Sequence, residues 1–96
     1  MSLKDAYIDK LKAQLDEWSA DIDQIEAKAR KADADLRIQY ESQLITLRVK
    51  RDEARVKLAE IRVSAGDAWQ ELKKGSDEAL DAIKHAVAEA RKKFGD

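Results

Sequence analysis

The chain has 96 residues, a formal net charge of -1, 41% charged and 5% aromatic side chains, no proline and no cysteine. These values exclude a large core, a disulfide framework and a thiol nucleophile. Basic residues alternate with acids instead of forming a stripe beside aromatics, so no nucleic-acid partner is expected. With 44% hydrophobic residues at regular spacing, the composition is that of long amphipathic helices, and an all-α single domain over 1–96 is the expected class.

The N-terminal stretch MSLKDAYIDKLK carries Lys4, Asp5, Asp9, Lys10 and Lys12. It therefore lacks the uninterrupted apolar region of a signal peptide. No run approaches the ~20 apolar residues of a membrane-spanning helix, and the expected location is cytoplasmic.

Ile8, Leu11, Leu15, Trp18, Ile22, Ile25, Ala29, Ala32 and Leu36 are spaced alternately three and four apart, which places them on one stripe of a helix. Tyr40 and Leu44 follow at two successive steps of four, after which Leu47, Arg51, Ala54, Leu58, Ile61 and Ala65 resume the alternation. That pattern reads as a stutter inside one continuous helix. Between Met1 and Val63 there is no Gly, Pro or Asn, so a helix over about 2–63 is predicted, about 95 Å long at 1.5 Å per residue.

The segment SAGD, 64–67, supplies the first punctuation. Gly66 can take the left-handed conformation that ends a helix, and Asp67 with Gln70 fits a capping box for a helix over 67–94. This second helix carries Trp69, Leu72, Ser76, Leu80, Ile83, Val87, Ala90 and Phe94 on one face, with a kink expected at Gly75 and a frayed end at Gly95 and Asp96.

Charge divides along the chain. Residues 1–35 hold six basic and nine acidic side chains, and residues 36–63 hold seven and four. Opposite fields favour antiparallel packing of these two segments, with Ala29 beside Ala32, Ile25 beside Leu36, Trp18 near Leu44 and Leu15 near Leu47. Asp16, Glu17, Asp21 and Asp23 would then face Arg37, Arg48, Lys50 and Arg51. Two chain paths satisfy this pairing: a monomeric three-helix bundle bent near 33–36, and its domain-swapped counterpart, two unbroken helices crossing antiparallel at Ala29 and Ala32. The alanines favour helix and the usual turn residues are missing, so the crossed homodimer or a higher oligomer is the expected form.

No catalytic constellation is expected. His85 is the only histidine, Asp81 and Glu89 flank it at helical spacing, and Ala82 stands where a bundle di-metal site needs a carboxylate. Ser2, Ser19, Ser42, Ser64 and Ser76 have no base assigned to them by spacing, and Gly66, Gly75 and Gly95 make no phosphate loop. Neither metal nor cofactor is anticipated. Trp18 and Trp69 sit at seam positions, where tryptophan is an anchor. Tyr7 and Tyr40 are read as boundary residues with hydroxyls toward water, and Arg51 as a seam residue extending its charge toward Asp5 or Asp9.

The expected interface is Leu11, Leu15, Trp18, Ile22, Ile25, Ala29, Ala32, Leu36, Tyr40, Leu44, Leu47, Arg51, Leu58, Ile61, Trp69, Leu72, Ile83, Val87 and Phe94. Its partner would be a second copy or another helical protein. The apolar face of the second helix and its closing RKKF offer an alternative, a lipid-surface or stress-protective role, and there the chain looks somewhat like exchangeable apolipoproteins. Asp77, Glu78, Asp81 and Glu89 interrupt any basic belt.

The stretch GDAWQELKKGSDEALDAIKHAVAEARKKF, 66–94, preceded by a heptad-rich helix, resembles small bacterial coiled-coil domain-containing proteins of uncharacterised role. The resemblance implies a helical architecture, a long charged helix leading through a turn to a second helix. It implies no activity, cofactor or catalytic residue.

Overall fold

In the computed structural model, which describes residues 2–94, the chain forms three helices: α1 (Leu3–Lys31), α2 (Ala34–Val63) and α3 (Trp69–Phe94). Each packs against the other two. The all-α bundle expected from periodicity is present, and of the two chain paths it is the bent one. The molecule measures 51 × 19 × 18 Å, half the length that an unbroken helix over 2–63 requires. That helix does not exist, and with it goes the crossing of two such rods at Ala29 and Ala32.

The break has a local cause. Ala32 (φ -79°, ψ 157°) and Asp33 (φ -66°, ψ 172°) are both extended, and the Asp33 carboxylate accepts from Leu36 N–H at 2.9 Å. Asp33 is thus an N-cap, with Asp35 in the first turn of α2 and Lys28, Arg30 and Lys31 in the last turn of α1, all favourably placed in the helix dipoles. Arg37 donates to the carbonyls of Arg30 (3.3 Å) and Ala32 (3.2 Å), satisfying acceptors left open by the helix end. A reversal built from two extended residues needs no positive φ, and so no glycine.

The second turn differs. Gly66 has φ +55°, as its position after α2 led one to expect. Ser64 donates its hydroxyl to Ile61 O at 2.6 Å and closes α2. The Asp67–Gln70 capping box is not formed: the backbone carbonyl of Asp67, and not its carboxylate, accepts from Gln70 N–H at 3.0 Å, and α3 begins at Trp69. Gly75 does not interrupt α3, which continues through it from Trp69 to Phe94. Gly95 and Asp96, the expected frayed end, lie outside the described residues.

One core runs the length of the bundle. Tyr7, Leu11, Leu15, Ile22, Ile25 and Ala29 from α1 meet Tyr40, Leu44, Leu47, Ala54, Leu58 and Ile61 from α2 and Trp69, Leu80, Ile83, Val87 and Ala90 from α3. Each fully buried Leu or Ile contributes on the order of 1.5–3 kcal/mol. An aromatic pair fixes α3 at each end: Tyr7 with Trp69 (centroids 5.6 Å, tilted) and Tyr40 with Phe94 (4.0 Å, stacked). Lys4 donates to the Ser64 carbonyl at 2.6 Å, tying the start of α1 to the end of α2.

Candidate functional site: the outer face of the second helix

The seam residues named from sequence are drawn together, but inside one chain. Of the expected interface, Leu11, Leu15, Ile22, Ile25, Ala29, Tyr40, Leu44, Leu47, Leu58, Ile61, Trp69, Ile83 and Val87 are buried in the bundle core, and Trp18, Ala32, Leu72 and Phe94 pack at its edge. Leu36 departs from the pattern and is exposed. The helix restarts at Ala34, so the phase set by α1 does not carry through to it. Leu11 and Leu15 line one crevice with Ala54 and Leu58.

Charge pairing also differs from the sequence expectation. Asp21 bonds Arg91 of α3, not a base on α2. Arg51 turns to its neighbour Asp52 at 3.4 Å, and not to Asp5 or Asp9. Glu26 and Arg48, 3.1 Å apart, form an ion pair that joins α1 to α2. The hydrogen bond from Arg48, joined by Arg30, holds the Glu26 carboxyl below its usual range. Tyr7 is not a boundary residue. Its hydroxyl lies 2.5 Å from Asp77 Oδ1 and 3.0 Å from Lys73 O. Burial, reinforced by the Asp77 carboxylate, pushes the phenol well above its ordinary value.

Chemistry-bearing groups are sparse. Among the described residues no group of three or more His, Cys, Asp or Glu is placed to hold a metal ion. His85 and Asp81 form an exposed pair at 3.5 Å. A groove between α1 and α3 is lined by Trp18 and Leu80 with Lys10, Lys84, Asp77 and Asp81, and its mixed charges select no sign of ligand. Within the described residues, no helix is long and apolar enough to cross a membrane.

What the sequence seam concealed is on the far side of α2. Ile38 (69% exposed), Ile45, Val49, Val56 and Val63 (84%) stand in solvent. They fall at intervals of seven, four, seven and seven, and therefore lie on one stripe along nearly four heptads, about 38 Å at 1.5 Å per residue. Its signal was present in the sequence, as a second apolar set two residues out of phase with Tyr40, Leu47, Ala54 and Ile61. Among the described residues, the exposed large hydrophobics other than Leu3 are all on α2. Single exposed apolar residues are ordinary, whereas several at heptad spacing on one element form a candidate contact surface.

No protein-family model matches the chain, and comparison with curated proteins and with solved structures found no match.

Proposed function

We propose that this chain is a non-enzymatic helical interaction protein that associates with itself through the outer face of α2. The observation that carries this reading is the heptad-spaced stripe of Ile38, Ile45, Val49, Val56 and Val63, exposed on a bundle whose core is already complete. A stripe of that spacing is buried by another helix lying along it. The apolar face of α3, which suggested lipid binding, is directed into the core by Leu80, Ile83, Val87 and Ala90. Lipid would have to open the bundle to reach it.

Sedimentation over a concentration series tests the reading. The mass is expected to rise from 10.9 kDa toward twice that value. The double variant Ile45→Lys, Val49→Lys is expected to remain monomeric with unchanged helicity. A native chain that stays monomeric at its solubility limit would refute self-association, and flotation of that monomer with anionic vesicles would establish the lipid reading in its place.

A further inference from the structure

The stripe on α2 can meet its copy in two directions, and the charges beside it discriminate between them. Taking Ile38, Ile45, Asp52 and Ala59 as one seam row makes Ser42, Val49, Val56 and Val63 the other. Glu41, Arg48, Arg55 and Arg62 then flank the seam on one side, and Gln39, Thr46, Glu53 and Glu60 on the other. The first side faces α1, as the Arg48–Glu26 pair shows.

We infer that two copies pair through α2 in parallel and in register. This rests on the self-association proposed above and adds its direction. In a parallel pair each residue of the first side meets the one five positions later on the partner's second side, so Arg48 faces Glu53 and Arg55 faces Glu60, each twice by symmetry, and no like charges meet along the flanks. In an antiparallel pair with Ile38 against Val63 and Ile45 against Val56, Glu41 faces Arg62, but Arg48 faces Arg55. Like charges set side by side oppose that direction. Parallel pairing stacks Ile38, Ile45, Val49, Val56 and Val63 each on its own copy. It also places Asp52 opposite Asp52, where each carboxylate already has Arg51 at 3.4 Å and Arg55 at 3.5 Å on its own helix to offset its charge. A polar pair at one seam position fixes register, because a slip by one heptad would set both carboxylates against apolar partners.

The chain has no cysteine, so single thiols report direction directly. Ile38→Cys and Val63→Cys variants, equilibrated in a glutathione redox buffer, are each expected to form a disulfide dimer with themselves. In an antiparallel pair the two like positions lie about 38 Å apart, beyond the Cα separation a disulfide tolerates. Neither variant would then couple alone, while their mixture would, and that result overturns the parallel arrangement but leaves self-association standing. A dimer by sedimentation with no cross-link in any combination places the contact elsewhere and also overturns it. A monomer by sedimentation removes both readings together. As a second measurement, Arg55→Glu and Glu60→Arg should each weaken the dimer alone, and mixing the two should restore it. Continued weakness on mixing contradicts the Arg55–Glu60 pairing.

Discussion

The inner and outer faces of α2 carry apolar stripes of similar spacing and opposite fate. Leu44, Leu47 and Ile61 are wholly enclosed, while Ile45, Val49 and Val56, one or two positions out of phase, stand in water. The difference teaches that heptad spacing specifies a stripe and not its partner. Here the inner stripe is satisfied by α1 and α3, and the outer one has no counterpart among the described residues. The inner set is richer in Leu and Tyr, the outer in β-branched Val and Ile.

The comparison breaks most forcefully at its centre. Leu44→Ala should destabilise the monomer by about 2–5 kcal/mol, the cost of a cavity in a closed core, read as a lowered urea midpoint. A loss under 1 kcal/mol would mean that the inner face is loosely packed. Ser76 sharpens the same point from α3. It is 2% exposed, its hydroxyl has no hydrogen-bond partner, and the crevice it shares with Leu11, Leu15, Ala54, Leu58 and Leu80 has no room for a water molecule. An unsatisfied buried hydroxyl costs about 1–3 kcal/mol, so Ser76→Ala should raise stability by roughly 1 kcal/mol, measured by the same midpoint.

Asp33→Ala removes the cap that starts α2 and should cost about 1 kcal/mol while leaving both stripes unchanged. Tyr7 gives a dependence on pH. A phenol whose folded pKa is raised stabilises the fold fully below its unfolded value near 10.0. That contribution is lost as pH rises from there through the folded value. Stability should fall on alkaline titration, and Tyr7→Phe should flatten the fall. The outer face gives the smallest effect: Val49→Thr in dilute monomer should change stability by less than about 0.5 kcal/mol, as substitutions at exposed positions do. A larger loss would show that the outer stripe supports the fold itself.

Much of the fold was legible because burial imposes periodicity. The α1 seam from Leu11 to Ala29 and the α3 seam from Trp69 to Ala90 occupy the core as their spacing requires. The misreading lay between them. The two successive steps of four at Leu36, Tyr40 and Leu44 resemble a supercoil stutter, but they mark a helix that stops and restarts in a new phase. Asp33 was the available signal, three residues before the amide it caps. It was obscured because flanking alanines raise helix propensity, and because a reversal through two extended residues leaves no glycine signature. The candidate surface was legible in the same way, yet a search that follows one seam assigns its neighbours to solvent. Arg51 and Asp21 were beyond sequence reading, since a long side chain selects among several nearby partners only once three helices are in place.

The dry crevice around Ser76 also has a mechanical consequence. Space that neither protein atoms nor water fill is eliminated when the chain opens, so unfolding lowers the system volume there. Hydrostatic compression should therefore loosen the bundle first where Leu11, Leu58 and Leu80 converge, nearer the Tyr7–Trp69 pair than the Tyr40–Phe94 pair.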